Sequence, residues 1–393
     1  MQPRLADAQR PLVERARDLA ARFAARAEQH DREASFPFEN FADLHRAGFL
    51  ALALPSDLGG GGLSLADFCL LQETLARGCG ATALGTNMHW YNLGGGLHLF
   101  TDTFRRRVAD AVVREGALVA SSISEPGAVL GAPQTVARKV PGGYRVSGRK
   151  YFCTLAPILR FFLFNARLEG CERPGLSGTV TLAAERGTEG MEILATWDAM
   201  GMRASGSHDI EFHDAFIPDE CLVGIEGAGT EGGMACLPWY ALGIASVYIG
   251  IAGAAFDFAV EYVKQRRLHP LPASVAHLPG TQFSIAAMQV RLAAARALIQ
   301  RTAAELARGA DVGDALLPMV GTAQYVATNS ALEVVTQAMQ VVGGPSMFRR
   351  HPLERWYRDV RAGTLHPFTH HWLLEMIGKH ALGIPLDVQP RWI

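Results

Sequence analysis

The hydrophobic positions of this chain change their spacing twice along its length. In the first third, apolar residues recur every three or four positions, as in residues 12–28, and this spacing predicts amphipathic helices. Between residues 118 and 222, short runs rich in β-branched and aromatic residues are separated by Gly and Pro, which predicts the strands of a small barrel or sandwich. Long helical periods return afterwards, with mostly apolar segments at 239–265 and 283–308. The pattern therefore predicts an α+β protein that is mainly helical.

These changes divide the chain into three predicted domains. An N-terminal helical domain is expected at residues 1–117, a central β domain at 118–225 and a C-terminal helical bundle at 226–393. Within the first domain, a turn-rich segment at 55–62 interrupts the helical pattern, and Ser64 is expected to cap the helix that follows.

Composition narrows the range of partners and locations. The 393 residues are 49% hydrophobic and 19% charged, with a formal net charge of -1, so nucleic acid is not an expected partner. The six cysteines are scattered without a Cys-x-x-Cys pair, which indicates reduced thiols in a cytoplasmic protein. The chain begins without the apolar run of a secretion signal, and no run of about 18 apolar residues predicts a membrane span.

Two segments of the β region combine hydroxyl and aromatic side chains. The first, SSISEPGA, contains Ser122 and Ser124, and the second, GRKYFCT, contains Phe152 and Thr154. Alternation along a strand would place Phe152 and Thr154 on one face. Considered alone, these residues are typical of an ordinary turn and of a core phenylalanine.

The stretch QVVGGPSMFRRHPLERWYRDVRAGTLHPFTHH, residues 340–371, carries the clearest resemblance. Its first half, which includes Arg358 and Asp359, resembles the C-terminal signature of the acyl-CoA dehydrogenase flavoproteins. FENFADLHRAGFLALALPSDLGGGG near the start resembles their N-terminal domain, so the resemblance covers nearly the whole chain. It implies their fold, namely an N-terminal helical domain, a central β-barrel and a C-terminal four-helix bundle. It also implies FAD as the cofactor, with FMN as the alternative.

The resemblance assigns contacts with the flavin ring to two groups of residues in the β region. Ser122 and Ser124 would hydrogen-bond the edge of the flavin ring, where donors raise its electron affinity. Phe152 would pack near the ring with Thr154 beside it.

A second set would bind the phosphates and adenine of a cofactor shared with a neighbouring subunit. It comprises Arg266, Gln282, Gln340, Gly343 and Gly344. A guanidinium binds phosphate oxygens bidentately, and glycines allow close backbone approach. Arg266 could instead be a solvated charge that the end of its helix favours. A shared cofactor implies a homodimer or homotetramer.

The catalytic positions depart from the family pattern. Most relatives remove the substrate α-proton with a Glu at the place where this chain has Pro367, and others use one at the place of Tyr240 or Ala241. Neither place holds a carboxylate. Residues 129–131 replace the usual Gly-Ser-Asp, which indicates a reshaped substrate entrance.

His366 offers a different chemistry. Its Thr-Leu-His context resembles the flavin-dependent monooxygenase branch of the family, where a His lies beside the flavin, and imidazole exchanges protons near neutral pH. His89 is a second candidate catalytic residue. His366 could also simply cap the bend before Pro367. A metal site with His370 is not expected, because Pro367 interrupts the helix that such a site would use.

Three hypotheses follow for the function. The first is an FAD-dependent oxidoreductase that dehydrogenates an acyl thioester, such as an acyl-CoA, with an atypical base and passes electrons to an electron-transfer flavoprotein. The second is a reduced-flavin monooxygenase using His366 and a flavin reductase as partner. The third is a flavin fold that has lost catalysis and acts as a scaffold.

Overall fold

In the computed structural model, the chain is described over residues 7, 9–128, 132–171, 178–309 and 312–385. Its N-terminal part is helical, as the spacing of apolar residues predicts. The helices there are α1 (Arg10–Glu33), α2 (Phe38–Arg46), α3 (Leu65–Ala76), α4 (Gly80–Gly94) and α5 (Asp102–Glu115).

The N-terminal helices follow directly from their sequences. In α1, Val13, Leu19 and Phe23 lie on one buried face, so this helix is amphipathic as predicted. At the start of α3, the Asp67 amide donates to the Ser64 hydroxyl at 3.1 Å. This bond confirms Ser64 as the cap of that helix.

The middle of the chain forms one mixed sheet. Its strands are β1 (Val119–Ser121), β2 (Val136–Val140), β3 (Gly143–Cys153), β4 (Phe161–Leu168), β5 (Thr179–Glu185), β6 (Met191–Leu194), β7 (His208–Pro218) and β8 (Leu222–Gly227). The strand order is β6-β7-β3-β2-β4-β5-β8, and β1 pairs in parallel with β4. β1 thereby connects the sheet to the N-terminal helices, because it follows α5 after a short turn.

The C-terminal part is helical again. It contains α6 (Gly229–Gly233), α7 (Leu237–Gln265), α8 (Pro279–Ala307), α9 (Leu316–Val342), α10 (Leu353–Ala362) and α11 (His370–Ala381). α7 packs against helices of both helical regions, and its glycines explain how. A Cβ atom at Gly250 would lie 2.4 Å from the Glu73 carbonyl oxygen, and one at Gly243 would lie 1.8 Å from the Asn87 side chain. Only glycine therefore lets α7 approach α3 and α4 so closely.

The segment Met234–Gln265, which includes α7, is long and apolar enough to cross a membrane, contrary to the expectation from the sequence. However, 72% of its most apolar window is buried inside the protein. Helices α3, α4, α8 and α9 surround α7. Its apolar composition is therefore accounted for by its place in the protein interior.

The Arg358–Asp359 motif joins three regions of the molecule. The Arg358 guanidinium contacts the Asp31 carboxylate of α1 at 2.6 and 2.9 Å. Asp359 accepts a 2.6 Å hydrogen bond from the Met202 amide in the β region. Burial raises the pKa of Asp359 to about 6, although the Met202 amide opposes this. The motif thus holds α10 to both preceding regions.

The order of helices, sheet and helices confirms the predicted fold class. The predicted domain boundaries at 117/118 and 225/226 stay predictions.

Candidate active site

His366 and Tyr248 form a hydrogen-bonded pair. Tyr248 lies in the middle of α7 and is fully buried, whereas His366 follows α10 and is partly exposed. The phenol oxygen lies 2.6 Å from Nε2 of the imidazole. The turn carrying His366 rests on the phenol ring, because a Cβ atom at Gly363 would lie 2.9 Å from that ring. The absence of a side chain at this glycine therefore brings the two rings together.

Both members of the pair are neutral near pH 7. Burial lowers the pKa of His366 to about 4. Burial raises the pKa of Tyr248 well above its usual value, and the charge of Asp359 acts in the same direction. The hydrogen bond therefore joins a neutral imidazole to a neutral phenol.

His89 has a different environment. It is fully buried in α4, its Nδ1 accepts from the Val119 amide at 3.1 Å, and its Nε2 lies 3.1 Å from the Leu50 carbonyl oxygen. Burial lowers its pKa to about 4. Both ring nitrogens thus serve the backbone, joining α4 to β1 and to the segment after α2. No hydrogen bond or ring contact connects His89 with His366 in the described part of the chain. A catalytic role for His89 stays a prediction that this geometry disfavours.

The two positions where relatives carry a carboxylate are filled by other groups. Pro367 lies in the turn between α10 and α11, and Tyr240 is in the first turn of α7. The Tyr240 ring packs edge-to-face against Tyr91 with centroids 5.4 Å apart. Burial raises the pKa of Tyr240 well above its usual value, so its phenol stays protonated.

Glu125 is held by a buried ion pair. Its carboxylate lies 2.5 Å from the Lys150 ammonium group, which also donates to Asn165 at 2.8 Å. The Gln134 and Thr135 amides donate to the same carboxylate. Burial alone would raise the pKa of Glu125, but the bonds from Lys150 and Thr135 outweigh it and the pKa is lowered. This pair attaches the loop after β1 to β3. Residues 129–131, the expected substrate entrance, lie outside the described residues.

The two hydroxyl-bearing segments of the β region do come together. The Ser122 hydroxyl donates to the Tyr151 carbonyl oxygen at 2.9 Å, and the Tyr151 amide donates to the Ser124 carbonyl oxygen at 2.9 Å. Thr154 lies 2.9 Å from the Ser207 hydroxyl, which lies 2.7 Å from that of Ser205. The sequence WDAMGMRASGSHD therefore contributes hydroxyls to the same region.

The expectation that Phe152 and Thr154 share one strand face is wrong. Phe152 is 60% exposed, whereas Thr154 is buried at 7%. The register of β3 against β7 shifts between Lys150 and Cys153, and Phe152 has a φ of +58°. A left-handed residue interrupts the alternation of side chains along a strand. The exposure of Phe152 also excludes the interpretation of this residue as part of the core.

The predicted cofactor-phosphate residues form a second group. The Arg266 guanidinium donates to the Val342 carbonyl oxygen at 2.5 Å, and a Cβ atom at Gly343 would lie 3.4 Å from that guanidinium. Gly343 has a φ of +78°, which favours glycine. A Cβ atom at the next residue, Gly344, would have no neighbouring atom within 4 Å.

Gln282 and Gln340 lie near the surface of the helical bundle. The Gln282 amide donates to the Ala276 carbonyl oxygen at 3.2 Å. Gln340 lines a shallow surface cleft with Arg291 and Glu333. No hydrogen bond or ring contact joins either glutamine to His366 within the described residues, so their assignment to a cofactor stays a prediction.

Tyr248 is not among the site residues predicted from the sequence. A signal was available, because Tyr248 is a phenol within a mostly apolar helix, α7, and a buried tyrosine hydroxyl usually has a hydrogen-bond partner. The identity of that partner is a tertiary contact across 118 positions of sequence.

Comparison with known families identifies the class of protein. Models of the N-terminal, middle and C-terminal domains of acyl-CoA dehydrogenases match residues 6–114, 120–215 and 242–371. The chain therefore belongs to the acyl-CoA dehydrogenase family of flavoprotein oxidoreductases.

Its relatives include proteins with several activities. The putative acyl-CoA dehydrogenase YdbM of Bacillus subtilis is 34% identical over 92% of this chain and 94% of its own length. The 3-sulfinopropanoyl-CoA desulfinase of Advenella mimigardefordensis is 31% identical over 91% of this chain and 89% of its own. The amino sugar nitrososynthase RubN8 of Streptomyces rubradiris is 30% identical over 93% and 88%.

Two solved structures of similar proteins also differ from each other in the compounds that they are named for or were solved with. Butyryl-CoA dehydrogenase from Megasphaera elsdenii has a TM-score of 0.89 and 25% identity, covering 97% of this chain and 100% of its own. KijD3, solved with FMN and a dTDP-linked amino sugar, has a TM-score of 0.86 and 29% identity, covering 98% and 96%. The family is thus certain, while its members differ in reaction.

Proposed function

We propose that this protein is a reduced-flavin-dependent monooxygenase in which His366 contacts the reacting atoms as a neutral imidazole. The observation that carries the proposal is the 2.6 Å hydrogen bond between His366 and Tyr248. His366 directly precedes Pro367, which occupies the position of the usual base. A neutral imidazole can donate or accept a hydrogen bond without the charge of a carboxylate.

Two acidic side chains that could serve as a base are already bound to other groups of the protein, and this supports the proposal. Dehydrogenation of a thioester begins with a positioned base that removes the α-proton. Asp359 is bound to the Met202 amide, and Glu125 is bound to Lys150. Moving either carboxylate toward a substrate would leave buried donors without acceptors, which is unfavourable. A reaction that needs no carboxylate base therefore fits these residues better than dehydrogenation of a thioester.

The residues present fit a flavin. An exposed aromatic ring at Phe152 offers a surface for a planar ring, and the Ser122, Ser124 and Thr154 region offers hydroxyl and amide groups to its polar edge. A guanidinium such as that of Arg266 can bind phosphate oxygens bidentately. We propose FAD as the cofactor and FMN as the alternative.

In the proposed reaction, the cofactor and the protein side chains have different roles. When bound, reduced flavin supplies two electrons to O₂, so that one oxygen atom enters the substrate and the other leaves as water. The protein side chains orient the reactants, exclude water and hold protons. Tyr248 fixes the imidazole of His366, and the edge-to-face rings of Tyr91 and Tyr240 limit water in the adjoining interior.

Similarity to relatives supports this choice. RubN8, at 30% identity, is an amino sugar nitrososynthase, and KijD3 was solved with FMN. Both match this chain over most of its length. We propose that this chain acts on a small molecule and receives reduced flavin from a separate flavin reductase.

A second candidate is α,β-dehydrogenation of an acyl thioester. The TM-score of 0.89 to butyryl-CoA dehydrogenase favours it. An acyl-CoA would then be the substrate and an electron-transfer flavoprotein the electron acceptor. The non-catalytic scaffold is the third candidate, and it applies if the protein binds no flavin.

The surface of α8 supports an oligomer. Phe283 is 73% exposed and Val290 is 67% exposed on this helix, next to the predicted cofactor residue Gln282. An exposed apolar patch on a protein surface is typical of a protein–protein interaction site. We propose that a second copy covers them in a homodimer or homotetramer.

The decisive experiment follows the bound flavin. The purified protein is mixed anaerobically with butyryl-CoA and longer acyl-CoAs while the flavin absorbance is recorded. The chemically reduced protein is then mixed with O₂, and oxygen consumption and hydrogen peroxide release are timed separately. For a monooxygenase we expect no bleaching by acyl-CoA and a delay between oxygen consumption and peroxide release.

The opposite results separate the alternatives. Rapid bleaching by an acyl-CoA would contradict the monooxygenase and support dehydrogenation. Peroxide that appears as fast as oxygen is consumed would also count against it. Purified protein that neither contains nor takes up FAD or FMN would move the scaffold candidate to first place.

A further inference from the structure

We infer that Tyr248 is a positioning residue that holds His366 as the Nδ1-protonated tautomer, so that His366 presents an N–H donor to the reacting atoms. This inference rests on the proposed function for the role of the site. The tautomer itself rests on the hydrogen bonding of two neutral side chains and can be measured without any turnover.

The direction of the hydrogen bond follows from the phenol. A neutral phenol has one O–H to donate, and Tyr248 is fully buried. Its single hydrogen bond within the described residues goes to Nε2 of His366. If Nε2 carried the proton instead, the buried O–H would have no acceptor there, which is unfavourable. The phenol therefore donates, and Nε2 accepts.

The tautomer of the imidazole follows from that direction. A neutral imidazole carries one proton, so an accepting Nε2 leaves Nδ1 protonated. Nδ1 of His366 has no hydrogen-bond partner among the described residues, and the side chain is partly exposed. The N–H group at Nδ1 is therefore the one that a ligand can reach.

This assignment changes the chemistry of the site. The unprotonated nitrogen of His366 is occupied by Tyr248, so it is not positioned to remove a substrate proton. The protonated nitrogen stabilises negative charge that develops on an oxygen atom. His366 thus acts as a donor rather than as a base, and Tyr248 determines which nitrogen donates.

The first test measures the tautomer directly. Holoprotein labelled with ¹⁵N in its histidines is studied by solid-state NMR, and the His366 signals are assigned by their loss in His366→Gln. We expect a protonated Nδ1 and an unprotonated Nε2, with the proton redistributed in Tyr248→Phe. A proton on Nε2 in the wild-type protein would overturn the inference.

The second test measures the delay between oxygen consumption and peroxide release in the reduced holoprotein. Tyr248→Phe is expected to shorten this delay about 5- to 10-fold, the effect of one lost hydrogen bond. Tyr144→Phe is the matched control, because Tyr144 is another fully buried tyrosine whose hydroxyl bonds Lys139 and Glu226 in the sheet. Equal effects of the two substitutions would contradict a specific role for Tyr248.

A rescue experiment separates donor from base. Asn at position 366 places an amide nitrogen where imidazole has Nδ1, whereas Gln places its amide near the position of Nε2. We expect His366→Asn to keep the delay within about 3-fold and His366→Gln to lose it. Adding Tyr248→Phe to His366→Asn should have no further effect, because the tyrosine then has no imidazole to orient. The reverse order of Asn and Gln would refute the inference.

The two proposals can fail separately. Bleaching of the flavin by an acyl-CoA would contradict the monooxygenase and leave the NMR result unaffected. A wild-type tautomer protonated at Nε2 would contradict the role of Tyr248 and leave the oxygen kinetics of the wild-type protein unaffected.

Discussion

The surroundings of His89 and of His366 show how two histidines with equally lowered pKa values come to have different roles. Burial lowers the pKa of each histidine to about 4, so both are neutral at pH 7. His89 uses both ring nitrogens on the backbone, at Val119 and Leu50. His366 uses one nitrogen on Tyr248 and retains partial exposure.

The difference lies in which hydrogen-bonding groups remain available. A buried polar group whose partners are all within the protein fixes the structure, and disturbing it costs stability. A group with one partner is oriented and can still bind a ligand. The pKa alone would assign the two histidines the same role, whereas their hydrogen bonds separate them.

The largest effect is expected from His89→Ala. It would leave a cavity in α4 and two buried backbone groups without partners, and it should lower the free energy of unfolding by about 3–5 kcal/mol. Urea denaturation measures this change. His366→Ala is the control and should cost less, about 1–2 kcal/mol, because that side chain is partly exposed and only the Tyr248 hydroxyl loses its partner. Equal costs would contradict the comparison.

The next effect concerns activity. His366→Ala should reduce turnover about 100-fold, the size seen when a single donor to the reacting atoms is removed. The measurement is steady-state oxygen consumption with a flavin reductase, normalised to bound flavin. Circular dichroism should show an unchanged fold. Unaltered turnover would return His366 to a purely structural role at the bend before Pro367.

A third prediction uses pH. A histidine whose pKa falls from 6.5 in the unfolded chain to about 4 in the folded protein contributes stability that is present above pH 6.5 and is lost as pH falls toward 4. His89 and His366 should each account for a loss of about 3 kcal/mol in this interval. Urea unfolding at several pH values should show a smaller loss in His366→Asn than in the wild type. An identical loss would mean that His366 is not neutralised by burial.

The smallest effect is expected at the contact between the turn and the phenol. A Cβ atom at Gly363 would lie 2.9 Å from the Tyr248 ring, so Gly363→Ala should push the rings apart and cost about 1 kcal/mol. Gly378→Ala is the matched control, since a Cβ there meets nothing within 4 Å and its helix would gain stability. Thermal unfolding compares the two, and a destabilised Gly378→Ala with an unaffected Gly363→Ala would refute the packing argument.

Much of the fold could be predicted from sequence because its signals are local. The apolar spacing in α1 and the Ser64 cap each depend on residues within a few positions of one another. The alternation expected at Phe152 and Thr154 failed for the opposite reason. A left-handed residue and a register shift against β7 interrupt it, and the partner strand lies far along the chain.

Prediction of the candidate site was less complete. The Thr-Leu-His context singled out His366, but neither its neutral state nor its tautomer is encoded near it. Tyr248 is 118 residues away, and Gly363 brings the turn onto its ring only after α7 and α10 have packed. His89 was chosen for its residue type, and its two backbone partners come from separate elements.

By itself, the sequence determined the family, the order of helical and β regions and the absence of a carboxylate at the usual base positions, because these depend on residue identity and local spacing. Only the tertiary structure decided which histidine retains an available nitrogen. Hydrogen-bond partners and burial are set by packing between distant segments, and they fix where a proton resides on an imidazole.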